Sequence, residues 1–156
     1  MLGARALRID HIGSTAVPGL AAKSVIDVQV TVADLTDADA LVAAGYPEGT
    51  GFRDHEPPGA AASARDWRKR FFYQRDGERR ANIHVRELGA ANQRYALLFR
   101  DYLRAHPAAA EAYAELKRRL ARGLEDPTTY AEVKDPACDL IWVAAETWAG
   151  TSGWQP

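Results

Sequence analysis

The sequence predicts an α+β (α/β) fold: a small mixed β-sheet with flanking helices, followed by a C-terminal helical bundle. Two observations predict this class. Runs in which apolar and polar residues alternate, or in which β-branched residues are frequent, lie within residues 6–32 and 66–87. From residue 92 onward, apolar residues recur at helical spacing instead. The chain has 156 residues and 47% hydrophobic residues, which suits a single domain over residues 1–156 with one buried core.

Four strands are expected in the first part of the chain. Residues 6–12 alternate apolar and polar side chains, and residues 24–32, SVIDVQVTV, have the highest β-branched content. Residues 66–74 and 79–87 flank Asp76-Gly77, a dipeptide typical of hairpin turns. These last two strands are therefore expected to pair antiparallel.

Helices are expected at residues 34–44 and from Asn92 onward. The later helical region divides into three at prolines and glycines, and Asp135-Pro136 restarts or kinks the last helix. Residues 48–65 are rich in Gly, Pro and Ala, which predicts a mobile loop with at most a short strand at residues 51–55.

Composition limits the functional classes. The formal net charge is −1, which gives no strong signal for nucleic acid or an anionic membrane. Cys138 is the only cysteine, so no intrachain disulfide forms, and no run of eighteen apolar residues or cleavable leader is present. A cytoplasmic protein is expected. Few residues precede the first strand, so the domain is expected to be abbreviated at its N-terminus.

The turn at Gly13-Ser14-Thr15 is the first candidate site. A phosphate can approach the Gly13 backbone because glycine has no Cβ, and Ser14 and Thr15 add hydroxyl donors. His11, just before the turn, would bind phosphate or only hold the turn. A P-loop is excluded because it needs four residues between its glycines and a lysine directly after the second. An ordinary strand-to-helix turn is the alternative.

Asp27 is the second candidate, because it interrupts an apolar strand. A buried carboxylate requires a partner or a metal ion, and magnesium uses one or two carboxylates together with phosphates and water. Gln29 lies on the same strand face and offers a carbonyl oxygen where a second carboxylate would serve. The alternative is a structural ion pair of Asp27 with Lys23 or an arginine.

His84 is a candidate base or ligand on the polar face of its strand, where it could lie beside Asp27 across the sheet. The alternative is a hydrogen-bonded core histidine. Arg70 and Arg100 are candidates for contact with anionic groups. Other residues are interpreted as structural or solvent-facing. Cys138 is assigned to packing, and solvent exposure is expected for Arg104, Lys117, Arg118 and Arg119.

The run HIGSTAVPGLAAKSVIDVQV, followed by ANIHVRE and FRDYLRAHPAAAEAYAELKRRLA, resembles the GrpB family of small proteins over residues 8–148. That family has a fold similar to the nucleotidyltransferase superfamily, and related domains occur fused to dephospho-coenzyme A kinases. The resemblance implies that Gly13 and Ser14 grip phosphates and that Asp27 is the first magnesium carboxylate. Gln29 departs from the second carboxylate, and His84 stands where a third acidic ligand is expected. Ser24 replaces an expected proline.

Three hypotheses for function follow. The first is a nucleotidyltransferase-like protein that binds a nucleotide or other phosphorylated small molecule, with Mg²⁺ on Asp27 and nucleotidyl transfer to an acceptor. Lys23 and Arg70 would neutralise the remaining phosphate charge. The second is a noncatalytic accessory domain that binds the same ligand class. The third is a structural domain whose exposed helices face another protein.

Overall fold

A five-stranded mixed sheet forms the first part of the structure, a computed structural model that describes residues 2–52, 54–60, 64–123 and 126–156. The strand order is β1-β2-β5-β4-β3. Only the central pair, β2 and β5, is parallel, and the other neighbours are antiparallel. The strands are β1 (Arg8–Ile12), β2 (Ile26–Val32), β3 (Glu48–Gly49), β4 (Arg70–Tyr73) and β5 (Ala81–Glu87).

Four α-helices accompany the sheet, three of them in the C-terminal bundle. They are α1 (Asp39–Ala43), α2 (Ala91–Ala105), α3 (Pro107–Gly123) and α4 (Pro127–Ser152). The Asp34 side chain accepts a hydrogen bond from the Thr36 backbone and begins the 3₁₀ turn that leads into α1. Pro136 lies inside α4 and one helix continues through it, so the restart, one of the two outcomes predicted for Asp135-Pro136, does not occur.

The two faces of the sheet differ in chemistry. The face towards α1 is apolar, where Phe72, Val85 and Val32 pack against Leu41. The face towards α2 is polar. Strand parity and register place Asp27, Asn82 and Tyr73 in one row across β2, β5 and β4, and Gln29, His84 and Phe71 in the next row. The polar face therefore carries the candidate site residues of β2 and β5.

The helical bundle has its own core, which reaches back to the Gly13-Ser14 turn. Val17 and Leu20, from the segment after the turn, pack against Leu103, Tyr113 and the buried Cys138. The assignment of Cys138 to packing is confirmed. This contact fixes α3 and α4 over the turn and positions their polar side chains near Asp27.

Some predicted boundaries are wrong. A 3₁₀ turn, Ala64–Trp67, replaces the start of the strand predicted at residues 66–74. The short strand lies at Glu48–Gly49 instead of residues 51–55. Residue 53 of that predicted strand and residues 61–63 of the predicted loop lie outside the described residues. The antiparallel pairing of β4 with β5 is confirmed. Among the described helices, none is long and apolar enough to cross a membrane.

Candidate functional site

The turn after β1 lies directly against Asp27. Gly13 has φ +69°, and a Cβ built there would lie 2.5 Å from Asp27 Oδ2. Both the positive φ and the close approach exclude larger residues. Ser14 then begins a single 3₁₀ turn, Ser14–Ala16. The backbone of the turn and the Asp27 carboxylate therefore form one wall of the site.

Two side chains of β5 hold the Asp27 carboxylate. Asn82 Nδ2 donates to Asp27 Oδ1 at 2.9 Å, and His84 Nε2 lies 3.5 Å from the same oxygen. Burial acts to raise the pKa of Asp27, but the contacts with His84 and Asn82 outweigh it and hold the pKa below its usual value. Burial lowers the pKa of His84, with Asp27 opposing that effect. The partners of Asp27 are therefore Asn82 and His84, and the alternative interpretation, a structural ion pair with Lys23 or an arginine, is wrong.

Gln29 does not reach this site. Its side chain is fully buried, its Oε1 accepts from Arg86 at 2.6 Å, and its Nε2 donates to the Gln93 carbonyl at 3.2 Å. Both ends of the amide are thus engaged away from Asp27. The structure corrects the assignment of Gln29 as a metal ligand, because its side-chain oxygen is fully buried and is bound by the Arg86 guanidinium, away from Asp27.

A buried ionic network occupies the same face beyond Gln29. Asp54 accepts from Arg86 Nε at 2.8 Å, from Lys69 Nζ at 2.5 Å and from Asn92 Nδ2 at 3.0 Å. Burial alone would raise the pKa of Asp54, but Arg86 and Lys69 hold it far below the usual range. Asp54 is therefore ionised but committed to neutralising these cations. Over residues 2–52, 54–60, 64–123 and 126–156, no three acidic, histidine or cysteine side chains are grouped to hold a metal ion.

A cleft of about 550 Å³ opens beside Asp27, between the Gly13-Ser14 turn and helices α3 and α4. Its wall carries the Ser14 hydroxyl, the Asp27 carboxylate and Asn82. Four basic side chains also line it: Lys23, Lys117, Arg118 and Lys134. Clefts with this surplus of positive charge attract anionic ligands.

Lys117 connects α3 to the turn. Its Nζ donates to Ser14 Oγ at 2.5 Å and to the Ala21 carbonyl. Burial, together with the positive charge of Lys134, lowers the pKa of Lys117 to about 8. An ammonium group therefore sits on the hydroxyl that was predicted to grip phosphate.

A second cavity, of about 320 Å³, adjoins the cleft and shares Ser14, Asp27, Tyr113 and Lys134 with it. Its inner wall is apolar and includes Phe99 and Leu103. Small-molecule sites commonly combine such a wall with a few polar groups at the mouth. The Asp27 carboxylate thus lies where two cavities meet.

Three predicted phosphate-binding residues lie outside the cleft. Register places His11 on the α1 face, where its Nε2 is 2.8 Å from Thr15 Oγ1, so its contact is with the turn itself. Arg70 is on that same face, bonded to Glu48 and Asp39. Arg100 lines the second cavity, but its guanidinium donates to the His11 carbonyl and to Asp101, which ties α2 to β1. For Arg70 and Arg100 the guanidinium groups are committed to protein acceptors.

Gly13, Ser14, Thr15, Lys23 and Asp27 are brought together around the two cavities. Sequence reasoning missed Lys117 and Lys134 and placed Lys117 in solvent, which is wrong. A signal was present in the helix pattern, since Lys117 follows the core residue Tyr113 by four positions and so lies on its face. The predicted exposure of Arg104, Arg118 and Arg119 is confirmed, although Arg104 Nε also donates to the Ala16 carbonyl at 2.8 Å.

The mixed sheet, with a Gly-Ser turn facing an aspartate on the next strand, is a nucleotidyltransferase-like fold. The chain belongs to the GrpB family, whose model, described as GrpB protein, matches residues 1–143. The crystal structure of conserved protein GrpB from Enterococcus faecalis superimposes with a TM-score of 0.72 at 30% identity, covering 94% of this chain and 86% of that one.

Sequence relatives fall into two groups. A dephospho-CoA kinase of Mycolicibacterium paratuberculosis is 40% identical over 99% of this chain, and a UPF0157 protein of Streptomyces coelicolor is 39% identical over 81% of it. The chain spans 42% of the length of the first and 62% of the second. The chain thus matches part of a longer protein that is named a dephospho-CoA kinase.

Proposed function

We propose that this chain binds a nucleoside triphosphate, or another phosphorylated small molecule, in the cleft between the Gly13-Ser14 turn and helices α3 and α4. The observation that supports this most directly is the convergence of the Ser14 hydroxyl, Lys117 and the ionised Asp27 carboxylate. The basic lining residues outnumber the two acidic ones, Asp27 and Asp126. Arg118 also pairs with Glu115 and Lys134 with Asp135, so a polyphosphate would add negative charge chiefly opposite Lys23 and Lys117 and would accept hydrogen bonds from these donors.

Asp27 is the side chain that would hold a Mg²⁺ ion bound together with the ligand. Its Oδ1 accepts from Asn82, and its low pKa keeps the carboxylate ionised at neutral pH. One carboxylate suits magnesium that is completed by phosphate oxygens and water, whereas a two-metal arrangement needs further carboxylates. The metal would neutralise phosphate charge, while Ser14 and Lys117 position the phosphates.

Nucleotidyl transfer is the second candidate, and the pairing of His84 with Asp27 favours it. The oxygen of an acceptor hydroxyl would attack the α-phosphorus of the nucleotide. The bond between the α-phosphorus and the oxygen that bridges it to the β-phosphorus would break, and pyrophosphate would leave. Burial lowers the pKa of His84, so the ring is neutral at pH 7. With its Nε2–H facing Asp27, the ring would accept the hydroxyl proton at Nδ1, which is buried and makes no hydrogen bond among the described residues. The engagement of Gln29 with Arg86 instead favours binding without transfer. Such an accessory role would suit a domain shared with dephospho-CoA kinases.

Calorimetric titration with nucleoside triphosphates, with and without Mg²⁺, tests the proposal on the native protein and on Asp27→Ala. Asp39→Asn is the matched control, because Asp39 is an exposed carboxylate on the opposite face of the sheet. We expect Mg²⁺-dependent binding that Asp27→Ala reduces at least about tenfold and that the control leaves unchanged. Circular dichroism establishes that both variants fold. If Mg²⁺-dependent binding survives Asp27→Ala, the metal assignment fails, and if no nucleotide or polyphosphate binds, the whole proposal fails.

A further inference from the structure

We propose that three aromatic side chains next to Asn82, namely Phe52, Phe71 and Tyr73, form a shelf on which the base of the bound nucleotide stacks. This inference rests on the proposed function, since it takes the phosphates to lie in the cleft beside Asp27. It adds the part of the ligand that is not a phosphate and the residues that would select it.

The aromatic shelf is continuous with the candidate site. Tyr73 is the register partner of Asn82, which in turn is the partner of Asp27, so the three side chains share one face and one row. Phe71 lies in the next row, with its ring centroid 5.1 Å from that of His84. Neighbouring strands are about 4.8 Å apart, which puts Tyr73 about 10 Å from Asp27. The ribose of a nucleotide can bridge that separation between base and phosphates.

The shelf is built as a layer of rings rather than as scattered surface residues. The Phe52 and Phe71 centroids are 4.6 Å apart, and Tyr73 meets Phe71 edge to face at 5.0 Å. Gly49 makes this layer possible, because a Cβ there would lie 2.8 Å from the Phe52 ring and 2.9 Å from the Phe71 ring. The glycine thus allows Phe52 to cover Phe71.

Two rings of the shelf remain open to solvent, although burial of an aromatic side chain would be favourable. Phe52 is 47% exposed and Tyr73 is 39% exposed, whereas Phe71 beneath them is buried. Exposed aromatic rings beside a basic cleft are the combination that binds bases and phosphates of nucleic acid components. Asn82 and the Tyr73 hydroxyl add polar groups at the edge. A planar, polar base therefore fits the shelf better than a purely apolar partner does.

The test compares a nucleoside triphosphate with inorganic tripolyphosphate, which carries the phosphates but no base. Dissociation constants are measured by calorimetry with Mg²⁺ for the native protein, Phe52→Ala, Tyr73→Ala and Tyr73→Phe. Leu88→Ala is the matched control, because Leu88 is an exposed hydrophobic residue that follows β5 at the other end of the sheet.

The native protein should bind the nucleotide about 5- to 100-fold more tightly than tripolyphosphate, the range that stacking of one base gives. Phe52→Ala and Tyr73→Ala should reduce that preference without weakening tripolyphosphate, and Tyr73→Phe should retain it because the ring remains. Equal affinity for the two ligands, or a preference unaltered by both alanine variants, overturns the shelf and leaves the proposed function standing. If neither ligand binds, the proposed function fails first and the shelf fails with it.

Discussion

The charge state of Lys117 should make phosphate binding depend on pH. Its Nζ donates to Ser14 Oγ within the cleft, and burial together with the charge of Lys134 lowers its pKa to about 8. The ammonium form, present below that pH, attracts a phosphate, and the neutral amine present above it does not. Affinity should therefore fall as the pH rises through about 8.

The magnitude follows from the fraction of protonated amine. With a pKa of about 8, roughly 90% of Lys117 is protonated at pH 7 and roughly 10% at pH 9. If binding requires the protonated form, the dissociation constant should rise about tenfold over this range, or about 1.4 kcal/mol. A nucleoside triphosphate has one terminal phosphate, whose last ionisation lies near pH 6, so the charge of this ligand is nearly constant from pH 7 to 9.

Calorimetry with a nucleoside triphosphate at constant ionic strength, at several pH values from 7 to 9, measures this effect. Lys117→Arg is the informative variant, because a guanidinium stays protonated throughout and should remove most of the pH dependence. Arg119→Ala, a change at an exposed position on the same helix, should leave the pH profile as in the native protein. If the affinity of the native protein is constant from pH 7 to 9, or if the affinity of Lys117→Arg changes with pH as steeply as that of the native protein, Lys117 does not control phosphate binding through its charge.

Two further predictions concern stability, both measured by urea unfolding. Gly13→Ala should destabilise the fold more than Gly19→Ala. Both glycines have positive φ, so either alanine should cost about 1–3 kcal/mol, but only the new Cβ at residue 13 meets Asp27. Equal losses of unfolding free energy in the two variants would contradict the close contact between Gly13 and Asp27. Asp54→Asn should cost about 3–5 kcal/mol at pH 7, because it leaves Arg86 without its buried carboxylate. Folding lowers the pKa of Asp54, so its stabilisation exists above the unfolded value near 4 and is lost as the pH falls towards the folded value. The difference in unfolding free energy between the native protein and Asp54→Asn should hence shrink at pH 3. A difference that is the same at pH 3 and pH 7 would contradict the stabilising role of the buried network around Asp54.

Local patterns predicted most of the secondary structure because those patterns reflect which side of an element is buried. Periodicity identified β2 and the helices from residue 92, and the Asp76-Gly77 turn predicted the pairing of β4 with β5. The contacts that organise the polar face are different in kind. Gln29 and Arg86 are 57 residues apart, and Asp54 comes from a loop without periodicity. No local pattern specifies such pairs.

The candidate site was predictable to the extent that strand parity was used. The sequence predicted that Asp27 and His84 could lie side by side, because side chains alternate between the two faces of a strand and the strands that carry these residues are neighbours. Arg70 was misplaced although parity was informative, since it alternates with Phe71 and therefore points to the other face. Lys117 was missed because a charged residue on an amphipathic helix is most often solvated, and only packing of α3 against the turn distinguishes this one.

The polar face explains why strand β2 supplies only one carboxylate, Asp27, to the site. Arg86 is almost fully buried and therefore needs acceptors, and it has two, the Asp54 carboxylate and the Gln29 amide oxygen. A carboxylate at residue 29 would be held by the same guanidinium and would add a second negative charge to a cation that Asp54 already neutralises. The neutral amide satisfies Arg86 without that repulsion. Because the residue at position 29 is thus determined by Arg86 rather than by a metal ion, the chemistry of the cleft depends on Asp27, its partner His84 and the lysines facing them.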